Sequence, residues 1–166
     1  MPGSTKKAFL NIGLFGAIVV CDQLTKFAVV ENLRHYEVIQ VMPFFNLVRL
    51  HNSGISFGML NKLGNPLLLI MISVAVIWLL ISYGRKNQKF LPMVTMIMAG
   101  AIGNIIDRIR YGYVVDFLDF YIGNYHWPAF NVADGAIVIG TFLLMWFSYK
   151  EDKIQPLKTA RKEENA

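Results

Sequence analysis

The chain has 166 residues, of which 55% are hydrophobic and 16% charged, and its mean hydropathy is +0.44. A soluble domain would have about a quarter of its residues charged, so the composition indicates a membrane protein of one domain. The net charge of +5 lies in short runs between apolar segments, which argues against a nucleic-acid binder with one basic face. The single cysteine excludes an internal disulfide and a cysteine-rich metal site.

Four apolar stretches are each long enough to cross the hydrocarbon core of a bilayer, which takes about 20 residues. We predict a single membrane domain over residues 1–166, with transmembrane helices at about 8–30, 66–83, 90–109 and 130–149. The first helix becomes polar near its end, and the second carries no charge. The third is polar only near its end and the fourth only near its start.

The basic residues indicate the orientation. Ten of the 16 precede the first span, separate the second from the third or follow the fourth: Lys6, Lys7, Arg85, Lys86, Lys89 and five residues of 150–166. Cytoplasmic loops carry an excess of Lys and Arg, so we predict that both termini are cytoplasmic. The charged tail 150–166 is expected to be disordered.

The segments at about 31–65 and 110–129 are then extracytoplasmic. The first contains two strand-like pieces, 37–41 and 44–50, which are rich in Val, Phe, Leu and Ile and are split by Pro43. We expect a small sheet that lies on the outer leaflet.

The predicted crossings place nearly all intramembrane polar residues at the level of the outer leaflet. Those from the spans are Asp22, Lys26, Asn104, Asp107, Arg108, Asn131 and Asp134, and Asp116 lies in the segment between the third and fourth spans. Polar groups at this depth are costly unless they pair or take part in function. A cluster that is drawn from separate helices therefore indicates a site.

Several of these residues also have a structural interpretation. Asp22 and Lys26 are spaced i, i+4 and can neutralise each other, and Asp107 stands beside Arg108, which could itself extend to the membrane surface. Asn131 could cap the fourth helix, with Asp134 closing a capping box.

Asp116 favours chemistry over capping, because it stands among apolar residues that desolvate a carboxylate and raise its pKa. Two carboxylates in a poorly hydrated site share a proton, so one can act as general base on a water while the other donates a hydrogen bond. This aspartic-protease chemistry requires no metal or cofactor. His35, His51 and His126 are scattered and lack metal-ligand spacing.

Five motifs in chain order resemble those of the lipoprotein signal peptidases, the type II signal peptidases of bacteria. They are DQLTK at 22–26, HNSGISFG at 51–58, GNIIDR at 103–108, VVDF at 114–117 and PAFNVAD at 128–134. The resemblance covers most of the chain, and no position that the family uses for chemistry departs from its pattern.

The resemblance implies an all-α membrane protein with four transmembrane helices, a small extracytoplasmic β-sheet cradle and a short outer helix before the fourth span. It implies an aspartic endopeptidase of the cytoplasmic (inner) membrane that cleaves diacylglyceryl-modified prolipoproteins before the lipidated cysteine. The family's catalytic aspartates fall on Asp116 and Asp134. Its substrate-binding positions fall on Asn52, Gly54, Asn104, Arg108 and Asn131, and its structurally important acid of the first helix falls on Asp22. The spacing gives Lys26 and Asp107 a structural role as well.

The same resemblance predicts a flap over 52–57. We also expect a monomer, and the aspartate chemistry needs no cofactor. The expected partners are lipid-modified prolipoproteins, membrane lipids and cyclic-peptide inhibitors of the globomycin type. An ion-coupled carrier is the alternative, but a proton relay needs acids through the bilayer depth. The second, third and fourth spans have none in their inner halves. A scaffold would leave Asp116 and Asp134 unexplained.

Overall fold

The computed structural model describes residues 2–53 and 66–164. Its helices are α1 (Pro2–Asn32), α2 (Pro66–Lys86), α3 (Leu91–Tyr111) and α4 (Val132–Glu164), with a short 3₁₀ helix at Gln88–Phe90. Its strands are β1 (Val38–Met42), β2 (Phe45–Asn52), β3 (Val114–Ile122) and β4 (Tyr125–His126). Gly54 and the remainder of the predicted flap, 54–57, lie outside the described residues.

Apolar helices fall where the sequence predicts spans. Among the described residues, Lys6–Asn32, Gln88–Tyr111 and Val132–Glu151 are long and apolar enough to cross a membrane, and α2 contributes a shorter apolar helix, Leu69–Gly84. All 21 residues of α2 would measure about 31 Å at 1.5 Å per residue, close to the thickness of the hydrocarbon core. The chain therefore has the helices of a multi-pass membrane protein.

Helix α3 lies at the centre of the helical part and packs against α1, α2 and α4. It ends at Gly112, which adopts a left-handed conformation with φ of 79° and donates its N–H to the Arg108 carbonyl. Gly100 and Gly103 let α3 approach its neighbours closely. A Cβ at Gly100 would lie 2.3 Å from the Ala133 carbonyl oxygen, so α3 and α4 are nearly in backbone contact.

The strands form one antiparallel sheet in the order β1-β2-β3-β4. Val115 and Phe117 of β3 pack with Val29 of α1 in a buried apolar cluster, which fixes the sheet against the end of α1. Arg49 of β2 reinforces this junction, because its Nη1 donates to the Val30 and Leu33 carbonyls at 2.9 and 2.8 Å. The sheet is thus held at the end of the helices where α1 and α3 finish and α4 begins.

The two predicted strand pieces agree with β1 and β2 to within two residues, but two other predictions are wrong. Between Gly112 and Asn131, all of which the structure describes, there is no helix before α4. The run from Val114 to Ile122 is rich in β-branched and aromatic residues, and pairing with β2 makes it strand β3. The tail after Lys150 was expected to be disordered, yet α4 continues to Glu164, because an existing helix propagates readily through Lys, Glu and Ala.

Candidate active site

Asp116 lies on β3, opposite Leu50 of β2, and its side chain is buried. Asn52 at the end of β2 donates its Nδ2 to Asp116 Oδ2 at 2.8 Å. Asn131, just before α4, donates its Nδ2 to Asp116 Oδ1 at 2.7 Å. Both carboxylate oxygens are therefore held by amide groups from different elements.

Asp134 lies in the first turn of α4. Asn104 of α3 donates its Nδ2 to Asp134 Oδ1 at 2.7 Å, and the Asn131 backbone N–H lies 3.3 Å from Asp134 Oδ2. In return, the Asp134 backbone N–H donates to Asn131 Oδ1 at 2.9 Å. This reciprocal arrangement is the capping box that the spacing of Asn131 and Asp134 predicts.

Asn131 joins the two carboxyl groups, because it bonds Asp116 through its side chain and Asp134 through its backbone and side chain. Its Nδ2 also lies 3.3 Å from Asn104 Oδ1, and Asn131 has no exposed surface. The capping interpretation and the catalytic one are therefore compatible. We call Asp116 and Asp134 the aspartate pair.

The environment of Asp116 changes its acidity. The pKa of Asp116 is raised from 3.8 to about 6, mainly by burial and also by the nearby charge of Asp134. Hydrogen bonds from Asn52 and Asn131 and the charge of Lys26 oppose this rise. Asp116 can therefore hold or release a proton near neutral pH, as a general acid must.

Arg108 is half-buried near the end of α3, and its Nη1 donates to the Asn104 carbonyl at 3.3 Å. The charges of Asp134, Asp116 and Asp107 all act on the guanidinium group. Arg108 therefore lies beside the aspartate pair and is not simply a cation at the membrane surface.

Asp22, Lys26 and Asp107 form a second polar cluster next to the pair. Lys26 Nζ lies 2.9 Å from Asp22 Oδ2 and 3.0 Å from Asp107 Oδ2, and all three side chains are buried. The ion pair predicted for Asp22 and Lys26 is thus present. Asp107 pairs with Lys26 rather than with its neighbour Arg108, because adjacent residues of a helix do not face each other.

Gln23 belongs to the same cluster, although sequence reasoning did not select it. Its Nε2 lies 3.0 Å from Asp22 Oδ2 and 3.1 Å from Asp107 Oδ1. The sequence shows that Gln23 is next to Asp22, but it does not show that Asp107 of α3 lies on its other side.

A cavity of about 320 Å³ opens beside Asp116. It is lined by Tyr36, Leu50, His51, Asn52, Asp116, Pro128 and Ala129. A larger apolar hollow of about 590 Å³ lies at the far end of the sheet, against Phe44 and Trp127, and reaches none of the site's polar residues. The smaller cavity is the one that adjoins groups able to perform chemistry.

His51, which lines this cavity, contacts a second histidine that is distant in the sequence. The His51 ring stacks on His35 at 3.7 Å between centroids and on Tyr113 at 3.8 Å. Burial lowers the pKa of His51, and the charges of His35 and Arg49 lower it further. His51 therefore presents a neutral ring to the cavity at neutral pH.

Apolar helices of membrane-crossing length, with a buried and a half-buried aspartate held by asparagine side chains at one end, define a membrane protein of the aspartic-peptidase type. Residues 14–150 match the family model described as Signal peptidase (SPase) II. The chain belongs to this family, as its motifs predicted, and is a protease.

Relatives support this assignment over most of the chain. A lipoprotein signal peptidase of Burkholderia thailandensis is 38% identical over 96% of this chain and 95% of its own length. The lipoprotein signal peptidase of Thermodesulfovibrio yellowstonii is 42% identical over 85% of this chain and 95% of its own. A solved bacterial membrane enzyme superposes with a TM-score of 0.75 at 29% identity, covering 87% of this chain and 89% of that one.

Proposed function

We propose that the chain cleaves diacylglyceryl-modified prolipoproteins immediately before the lipidated cysteine, with the aspartate pair activating the attacking water. Membership of the signal peptidase II family assigns it the removal of signal peptides from lipoproteins. The observation that carries the finer proposal is Asn131, which bonds both Asp116 and Asp134 and so holds the two carboxyl groups at one site.

The aspartate pair divides the chemistry between its members. Asp116, with a pKa of about 6, carries the shared proton and donates it in a hydrogen bond to the oxygen of the scissile carbonyl. Asp134 acts as the base that takes a proton from water as the water oxygen attacks the carbonyl carbon. When the tetrahedral intermediate collapses, the C–N bond breaks and that proton passes to the leaving amine.

The polar side chains around the pair are suited to hold the substrate. The Arg108 guanidinium interacts electrostatically with both carboxylates. A cation there can hold a peptide carbonyl or a lipid ester by a charge-assisted hydrogen bond. The cavity lined by Asn52 and Asp116 gives the peptide backbone a place next to the pair. Gly54 follows Asn52 in the same motif of the chain, and the family resemblance gives it a part in substrate binding.

The substrate defines the location of the reaction. A signal helix with two acyl chains reaches the enzyme laterally through the lipid, and its cleavage site lies at the outer boundary of the cytoplasmic (inner) membrane. A pair at the outer ends of α1 and α3 meets the substrate there, if both termini are cytoplasmic as the basic residues indicate. The enzyme would act as a monomer among membrane lipids, and a cyclic peptide of the globomycin type would occupy the same site.

Cleavage of one precursor tests the proposal. The purified enzyme in detergent is expected to cut a diacylglyceryl-modified prolipoprotein, and mass spectrometry should show that the product begins with the lipidated cysteine. The control is the same precursor with this cysteine replaced by serine, which cannot be lipidated and should remain intact. Equal cleavage of both precursors, or a cut elsewhere, would contradict the proposal.

The pH dependence provides a second test. The kcat/KM is expected to fall as the pH rises through about 6, because Asp116 then loses the proton that the reaction needs. Asn52→Ala removes a hydrogen bond that lowers the pKa of Asp116, so this alkaline limb should move to higher pH. Asn46→Ala is the matched control, since Asn46 donates to Asp119 and should leave the limb in place. If the alkaline limb of the kcat/KM profile does not move in Asn52→Ala, the limb reports the titration of a group other than Asp116.

A further inference from the structure

The Lys26 ammonium group makes three polar contacts, and only two of them are with acidic side chains. Its Nζ lies 2.9 Å from Asp22 Oδ2, 3.0 Å from Asp107 Oδ2 and 3.1 Å from Asn104 Oδ1. The ammonium group is buried, so these contacts take up its three N–H donors. The third contact has no role in neutralising Lys26, since Asn104 is uncharged.

This third contact decides which way the Asn104 amide faces. An ammonium group has no acceptor, so the Asn104 atom turned to Lys26 must be the oxygen. The Nδ2 of Asn131 lies 3.3 Å from the same oxygen and favours the same orientation. The Asn104 amide nitrogen then points away from Lys26 and donates to Asp134 Oδ1 at 2.7 Å.

We propose that Lys26 is a positioning residue of the reaction, which acts through the Asn104 side chain to hold Asp134 in place. If Lys26 served only in structural ion pairs, its contacts with Asp22 and Asp107 would be enough. Losing its contact with Asn104 would then leave kcat of the folded enzyme unchanged. The inference rests on the proposed function of the aspartate pair.

The charge of Lys26 also reaches the other member of the pair. Lys26 lowers the pKa of Asp116, against the larger effects of burial and of Asp134. Among the described residues, the other charged or titratable groups beside Asp116 are Arg108 of α3 and, at the cavity, His51 of β2 and Tyr36. Removing Lys26 should therefore move the alkaline limb of the pH profile upward through the loss of its charge alone, whereas a lower kcat at the pH optimum of the folded variant tests the contact through Asn104.

The experiment compares turnover of the full-length enzyme on the lipidated precursor. In Lys26→Met, kcat is expected to fall by about 10-fold to 100-fold, the usual effect of losing a hydrogen bond that involves a charged group. KM should change much less, because Lys26 is buried and does not line the cavity. Lys89→Met is the control for removing a lysine; Lys89 pairs with Glu151 away from the site and should keep wild-type kcat.

A second variant covers the risk that Lys26→Met does not fold, since it leaves Asp22 and Asp107 without a cation. Lys26→Met/Asp22→Asn removes one cation and one anion together, and it is compared with Asp22→Asn, which keeps the Lys26 contacts to Asp107 and Asn104. The double variant should have a lower kcat than Asp22→Asn, and the alkaline limb of its pH profile should lie at higher pH. Equal kcat and an equal limb in these two folded variants would overturn the inference, whereas failure of the wild type to cleave would overturn the proposed function.

Discussion

Asp116→Asn and Asp134→Asn are each expected to reduce turnover of the lipidated precursor by about 10²-fold to 10⁴-fold, the range that general acid–base catalysis contributes. Asparagine has nearly the shape of aspartate, but it cannot give up or accept a proton at this pH. Asp116→Asn removes the group that protonates the carbonyl oxygen, and Asp134→Asn removes the base. Single-turnover cleavage in detergent, followed by mass spectrometry, measures both effects.

Asp119→Asn is the matched control, because Asp119 is another buried aspartate on β3. It bonds Asn46 and His126 at 2.8 and 2.9 Å and has no contact with the aspartate pair among the described hydrogen bonds. Asp119→Asn should keep turnover close to the wild type at a small cost in thermal stability. Wild-type turnover in either Asp116→Asn or Asp134→Asn would remove that carboxylate from the mechanism.

Loss of folding must be separated from loss of chemistry in these variants. Asp134→Asn weakens the capping box of α4, which costs on the order of 1 kcal/mol of the free energy of unfolding. The unfolding temperature in detergent should therefore decrease only slightly. Such a small loss of stability cannot explain a 10²-fold loss of turnover.

The sequence alone predicted the helices and the first two strands, because apolar length and β-rich runs are local signals. It did not predict β3. The segment around Asp116 is a strand because β2 lies beside it, with Leu50 opposite Asp116 and Asn52 opposite Val114. Pairing across more than 60 residues of chain is a tertiary contact that spacing along the chain does not reveal, and the short outer helix was expected only because the family resemblance implied it.

The candidate site was predicted in its residues but not in its connections. Counting crossings from the positive-inside pattern correctly grouped Asp116, Asn104 and Asn131, which the hydrogen bonds now join. Spacing could not tell that Asn131 both caps α4 and bonds Asp116, because capping is local and the second contact is tertiary. Spacing also did not reveal that Asp107 pairs with Lys26 of α1. It predicts the helix face on which a side chain lies, but not which residue of another helix contacts that face.

The close contact between α3 and α4 brings Asn104 and Asp134 together. Gly100→Ala would place a Cβ 2.3 Å from the Ala133 carbonyl oxygen and 2.8 Å from Ile137 Cγ1. Backbone cannot yield as a flexible side chain can, so α4 must move away from α3. Overpacking of this kind costs about 1–3 kcal/mol or more. Because Ala133 directly precedes Asp134, the same movement draws Asp134 away from Asn104.

Gly100→Ala should therefore lower both the unfolding temperature in detergent and the turnover of whatever fraction stays folded. A displacement of about 1 Å at a catalytic group can cost roughly 10²-fold in rate, so the loss of turnover should exceed the loss of folded protein. Gly16→Ala is the matched control on α1, where a new Cβ meets nothing within 4 Å; it should leave turnover unchanged and should not lower the unfolding temperature. Wild-type turnover in a destabilised Gly100→Ala would mean that the spacing of α3 and α4 supports the fold without setting the distance between Asn104 and Asp134.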